Sequence, residues 1–351
     1  MTTNGDTTAR YGYDANGNRT RVVASGDTIA AEYDTQDRLL SVVTSGGDTT
    51  RYAYTGAGEL QRAVTGPDTT RYTYDALGNL LRVVVSGDTI EYVIDGLNRR
   101  VGRKVNGAWT HRWLYADGLR PVAELDGTGA LVARYVYGTR GHVPDYVVRG
   151  DSVYRLVTDQ LGSVRGVVNV ATGAVVERIA YDAWGVVKED TQPGYVSLGY
   201  AGGLRDAATG LVRFGARDYD ARVGRWTCKD PVRFGGGTTN LYSYVASAPT
   251  NNVDPLGLGM HHYNCRQTLQ LLQWAREDAA GPFGLYLALR NHAWPGLLDF
   301  CVARGRCQFR RAGDPRSAQR GCVWELPCRI CGLLCGRSQW WRGGPRRRAT
   351  L

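Results

Sequence analysis

The chain has 351 residues, enough for one large domain or two ordinary ones, and 43% of them are apolar, which supplies a substantial core. No stretch approaches the roughly 18 apolar residues of a membrane-spanning helix, and the polar start MTTNGDTTARYGYD has neither the basic onset nor the apolar centre of a secretory signal. The formal net charge of +10 suggests nucleic acid only until its distribution is read: residues 1–258 carry 28 basic and 28 acidic side chains, whereas residues 259–351 carry 15 arginines against 5 acids.

From the N-terminus the chain is self-similar. RYGYDANGNRTRVV, AAEYDTQDRLLSVV, RYAYTGAGELQRAV and RYTYDALGNLLRVV place a tyrosine at Tyr13, Tyr33, Tyr54 and Tyr74, and the series continues through Ile94, Tyr115 and Tyr137 with a period of 20 to 22 residues. Each Arg-Tyr-x-Tyr start alternates as a strand does, so both tyrosines share a face. Asp14 or Asp75 then opens a turn in which Gly17 or Gly78 supplies a positive φ, and a run such as RVVV at 82–85 returns. Two strands and two turns per repeat make a continuous antiparallel meander. Only its tyrosine face is apolar enough to bury, so the sheet is expected to curl or to pack on another.

These units resemble the YD repeats of the Rhs family, which also includes wall-associated repeat proteins, toxin-complex C subunits and teneurins. Residues 181–258 extend the resemblance: YDAWG, then GYAGGLRDAATGLVRFGARDYDARVGRW, KDP and NLYSYVASAPTNNVDPLGL are similar to the Rhs-associated core. The resemblance implies an all-β fold, an antiparallel YD-repeat meander curling into part of a hollow Rhs-type β-shell. It implies YD repeats over 1–150, the associated core over 151–258, and a variable C-terminal tail over 259–351 that is the enclosed toxin. Seven recognisable units are few for a whole shell, so the expectation is a C-terminal fragment of one.

The resemblance also implies that such a shell cuts its own chain just after a DPxGL motif, using two aspartates that each begin a DP pair. Here they are Asp230 in KDPVRF and Asp254 in DPLGL, and the bond is Leu258–Gly259, where charge and cysteine content change. The chemistry suits the residues. Two close carboxyls cannot both ionise cheaply, so one is left to accept a proton from water and the other to donate one. Carrying the scissile bond in the same chain gives a high effective concentration. Lys229 is placed to keep Asp230 ionised, and Arg225 and Arg217 are further candidates for an active-site cation. Arg233 and Cys228 depart from the commonest form of the motif. No cofactor is expected.

Beyond Gly259 the pattern thins. CRQTLQLLQWARED and GLYLALRNHAW have helical spacing, GPF separates them, and after residue 300 the periodicity decays into Arg, Cys, Trp, Gly and Pro, as a frame-shifted or degenerate reading does. The tail is therefore expected to be mainly helical or irregular. Cys328, Cys331 and Cys335 are weak metal-ligand candidates, because the paired framework of a zinc site is absent. The basic tail, with Trp324, Trp340 and Trp341 among its arginines, suits a nucleic-acid target.

The expected function is thus a self-cleaving shell that releases a toxin in interbacterial competition, secreted or delivered by an apparatus and countered by an immunity protein. The competing expectations are a non-enzymatic cell-surface scaffold for adhesion or carbohydrate binding, and a truncated remnant.

Overall fold

The computed structural model of the protein describes residues 9–259 apart from residue 25, together with the backbone of the two-residue strands Thr2–Thr3, Asp6–Thr7, Gln308–Phe309 and Trp324–Glu325. The expected tail helices and the three tail cysteines lie outside the described residues. The chain divides into two compact units, Met1–His262 and Tyr263–Leu351.

The first unit is an antiparallel meander of 18 strands, each paired with its neighbour in sequence, from Ala9–Tyr13 to Val187–Asp190. The wall therefore continues well past the last repeat legible as Tyr-x-Tyr, with the strands Tyr146–Arg149, Ser152–Thr158, Val164–Asn169, Val175–Tyr181 and Val187–Asp190.

One turn recurs along it. Asp14 Oδ1 accepts the backbone N–H groups of Asn16 and Asn18 at 3.0 and 2.9 Å. Asp75 does the same for Leu77 and Asn79, Asp95 for Leu97 and Arg99, Asp159 for Leu161 and Ser163, and Asp182 for Trp184 and Val186. A short acceptor at this position ties up two N–H groups that the ladder leaves free at the hairpin end. In the third repeat Thr55 Oγ1 replaces it, receiving Gly58 and Glu59 N–H at 3.2 Å each. Register shifts just before each turn, as between Gly12 and Tyr13 or Ala53 and Tyr54, bend the strands there.

From the third repeat on the paired tyrosines turn inward as expected, whereas Tyr13 of the first is 42% exposed. Tyr72 and Tyr92 are buried with Leu60, Leu80, Val83 and Ile90, and Tyr52, Tyr54 and Tyr74 pack against them. The sheet curls far enough for its ends to meet: Tyr11 lies edge-on to Trp184, ring centroids 6.0 Å apart, and the Arg19 guanidinium stacks 4.4 Å from the Trp184 ring.

What the wall curls around is the core segment. The strands Leu204–Arg205, Leu211–Phe214, Arg217–Asp220 and Arg225–Trp226 form a small antiparallel sheet. Tyr200, Phe214, Tyr219, Trp226 and Tyr244 build an aromatic cluster on it, tightest between Tyr219 and Tyr244 at 4.3 Å. Burying each such ring stabilises the fold by about 1.5–3 kcal/mol.

Buried polar contacts clamp this segment to the wall. Asp218 lies between Arg100 of the wall, at 2.8 Å, and Arg213, at 3.0 Å, all three buried. Arg213 also donates to Asn79 Oδ1 at 2.8 Å, and Asp206 receives both Arg103 and the Tyr92 hydroxyl. Charges taken this far from water are tolerated only because each meets an opposite charge and further hydrogen bonds.

Candidate active site

The DPLGL loop seats on the hairpin that joins Leu211–Phe214 to Arg217–Asp220. Ala216 N–H donates to Leu256 O at 2.9 Å, and the loop closes as a turn through Gly257 N–H to Asp254 O at 3.2 Å. Gly257 has φ +63°, and a Cβ on it would lie 2.3 Å from Phe214 O, so only glycine fits. The KDP segment arrives from the other side, where Asp230 N–H donates to Leu241 O at 3.0 Å and Asp230 Oδ1 accepts Val232 N–H at 3.0 Å.

These two segments bring Asp230 and Asp254 onto one cation. Arg217 Nη2 stands 2.9 Å from Asp230 Oδ2 and 3.3 Å from Asp254 Oδ2. The guanidinium is fixed on its other edges by Nε to Gly257 O at 2.6 Å and Nη1 to Leu241 O at 3.4 Å, and it stacks 4.2 Å from the Trp226 ring. Arg217 and Asp254 are each 1% exposed and Asp230 6%. Burial pushes the Arg217 guanidinium below its ordinary value, against the opposing pull of Asp230 and Asp254. Two carboxyls thus share one guanidinium in a dry place, where charge is tolerated only through such pairing.

The nitrogen of the Leu258–Gly259 peptide reaches this cluster. Gly259 N–H donates to Asp254 Oδ2 at 2.8 Å and Leu258 N–H to Asp254 Oδ1 at 3.3 Å. The Leu258 carbonyl oxygen and Asp230 Oδ2 both crowd Gly236: a Cβ there would stand 3.4 Å from the first and 2.6 Å from the second. Gly259, at φ +102°, presses on the same glycine, its own Cβ position falling 2.5 Å from Gly236 Cα.

The other residues singled out in the sequence lie around this centre. The Lys229 stem runs over the wall turn at Gly58, where a Cβ would meet its methylenes at 2.5 and 2.9 Å. Arg225 reaches the first two wall turns, donating to Asn18 Oδ1 at 3.5 Å and to the Asp37 carbonyl, between the rings of Tyr33 and Tyr242. Cys228 is buried and unoxidised, its thiol pushed up to about 12 by burial, so it is a packing residue rather than a nucleophile. Arg233, where one form of the motif has glycine, adopts φ +53° at the start of the short 3-10 turn Arg233–Gly236 that brings Gly236 to the site. Gly236 and Leu241 are the contributors that sequence reasoning passed over; the GGG run at 235–237 was the available signal for the first. Among the described residues no cluster of His, Cys, Asp and Glu is arranged to hold a metal, and no helix is long and apolar enough to cross a membrane.

Comparison with known proteins gives a consistent family. The sequence profile of the teneurin YD-shell matches residues 1–249. Human teneurin-4 is 30% identical over 172 residues, 47% of this chain and 6% of its own length. The tRNA3(Ser)-specific nuclease WapA of Bacillus spizizenii is 30% identical over 164 residues, 45% of this chain and 7% of its own. The chain thus spans well under a tenth of these curated relatives. Among solved structures, the crystal structure of TcdB2-TccC3 without its hypervariable C-terminal region superposes with a TM-score of 0.43 at 18% identity, covering 71% of this chain and 17% of that one.

Proposed function

The chain belongs to the teneurin YD-shell family, and from that premise we propose that its curled wall and core segment act as an autoprotease that cuts Leu258–Gly259 and so detaches residues 259–351. The observation that carries this reading is the convergence, on one buried guanidinium, of two carboxyls of which one already touches the leaving nitrogen.

The geometry suggests roles for the two acids. Asp254 accepts two backbone N–H groups and Arg217, which favours its ionised form, so it takes the proton from the attacking water. Asp230, on the side of the Leu258 carbonyl oxygen, carries the shared proton and lends it to that oxygen as the tetrahedral carbon forms. As the C–N bond breaks, Asp254 passes its proton to the Gly259 nitrogen and Asp230 recovers its own. The sum is water plus peptide giving the Leu258 carboxyl and the Gly259 amine. One turnover per chain is all that release requires, and the fixed geometry stands in for substrate binding.

On this reading residues 259–351 are the cargo: a toxin used between bacteria, secreted or delivered by a dedicated apparatus and neutralised in the producer by an immunity protein. Fifteen arginines against five acids favour a nucleic-acid target for it, in keeping with the nuclease named among the relatives. The inward-facing tyrosines weigh against an adhesive scaffold, since rings packed in the wall are not free to stack on an external glycan.

The test is the intact mass of the expressed chain beside Asp230→Asn and Asp254→Asn. The expected result is a wild type split into pieces that end at Leu258 and begin at Gly259, with both variants whole. A folded wild type that stays whole sinks the reading.

A further inference from the structure

The proposed active site is tied to the opposite end of the sequence by an amide–amide contact. Asn18 closes the first hairpin turn of the wall and is 3% exposed. Its Nδ2 donates to Asp14 Oδ2 at 2.9 Å and Asp37 Oδ1 at 2.8 Å, binding the first two turns together. Its Oδ1 accepts Asn240 Nδ2 at 2.6 Å, across 222 residues of chain. Asn240 holds its own place by donating also to Asn16 O at 3.3 Å and accepting Tyr242 N–H at 3.1 Å. The next residue, Leu241, offers the carbonyl that receives both Asp230 N–H and Arg217 Nη1. A second tether, Ser247 Oγ to Gly17 O at 3.1 Å, anchors the chain leading to Asp254 on the same turn. Both segments that carry the acids are therefore registered against residues 14–18.

We propose that Asn18, acting through Asn240, is a positioning residue for cleavage at Leu258–Gly259, so that the bond is cut only after the first hairpin turn has docked on the core segment. Leu241 O sets the distance between Asp230 and Arg217, and it sits one residue from an amide whose partner belongs to the wall. A displacement near 1 Å at a reacting group costs up to about 100-fold in rate. Neither asparagine touches the scissile bond, and both amides are satisfied only when the turn is in place. The contact makes cleavage a report on the assembled wall. This inference rests on the autoproteolytic reading above.

The experiment is a pulse-labelled time course of synthesis of the full chain, following appearance of the piece ending at Leu258, with folding of each uncleaved species checked by circular dichroism and thermal melting. Wild type is compared with Asn240→Ala, which leaves the first turn's own bonds intact, and with Asn18→Asp. The second keeps an oxygen for Asn240 but sets a carboxylate against Asp14 and Asp37. The expected result is a crossing of effects: Asn240→Ala cuts at least about tenfold more slowly while melting near wild type, and Asn18→Asp melts lower yet cuts faster than Asn240→Ala. A folded Asn240→Ala chain that cuts at the wild-type rate overturns the proposal even if Asn18→Asp does not fold. So does a loss of cleavage that follows melting temperature alone across the variants. A wild type that never cuts overturns both this inference and the reading beneath it.

Discussion

Gly259 donates its backbone N–H to Asp254 Oδ2 across 2.8 Å, so the nitrogen that departs in the proposed reaction rests against an acid before any chemistry starts. The same carboxyl is a branch of the Arg217 ion pair, which makes the order of importance among neighbouring residues open to direct measurement.

Arg217→Lys is expected to abolish detectable cleavage while leaving a foldable chain. An ammonium cannot span Asp230, Asp254, Gly257 O and Leu241 O together as the planar fork does. Arg217→Ala removes the shared cation from two buried acids and should cost about 3–5 kcal/mol of stability. Intact mass and chemical denaturation of the two variants separate these effects; cleavage by Arg217→Lys at the wild-type rate would show that the fork is dispensable.

Gly236→Ala probes the placement of Asp230 beside the turn that carries Gly236. The added methyl falls 2.6 Å from Asp230 Oδ2, so the carboxyl must move. Cleavage should slow by roughly two orders of magnitude; because Gly236 is buried, melting should fall as well, and the rate is read on chains shown to be folded. Unchanged cleavage rates would mean that Asp230 acts from another position.

The Asp218 clamp predicts a stability effect away from the chemistry. Asp218→Asn leaves Arg100 and Arg213 buried with reduced compensation, and destabilisation of about 3–5 kcal/mol is expected in urea unfolding. A loss below about 1 kcal/mol would show that water reaches the pair and screens it.

Glu177 gives the fold a pH dependence. It is buried on the inner face of the strand Val175–Tyr181, beside Asp190. Burial, and next the Asp190 charge, push its pKa up to about 8, with Arg205 opposing. The folded state therefore binds this proton more tightly than the unfolded chain does. The stability it contributes is complete below pH 4.5, the ordinary value, and is lost as pH rises through about 8. Melting temperature should fall across that window, and Glu177→Gln should flatten the fall. A wild-type profile that rises from pH 5 to 8, or a variant with the same slope, would refute the assignment.

Much of this was legible in the sequence, for definite reasons. Period and alternation specify the strands; Asp14, Asp34, Asp75 and Asp95 specify the turns, since a short acceptor followed by a positive-φ residue has few other uses. The later strands between Tyr146 and Asp190 were harder, because single valines replace the paired tyrosines while the turn aspartates persist at Asp159 and Asp182. Within the site, Asp230 and Asp254 were readable from their motifs, but the cation only as one of three candidates, Lys229, Arg225 and Arg217. Lys229 adjoins Asp230 in sequence, yet neighbours in an extended segment diverge, and its stem goes to Gly58 while Arg217 comes in from a strand of the core sheet. The link from Asn18 to Asn240 spans 222 residues and follows from no local rule.

The aromatic cluster of Tyr200, Phe214, Tyr219, Trp226 and Tyr244 has a consequence for the order of events during synthesis. The wall's inner face is made before the segment that covers it. At about 5–20 residues per second, a ribosome spends roughly ten to fifty seconds between the first hairpin and Tyr244. Throughout that interval the tyrosine face lacks its partner, and contacts so distant in sequence close slowly. The nascent wall is thus a client for chaperones by construction, and its exposure ends only when the final fifty or so residues of the first unit have left the exit tunnel.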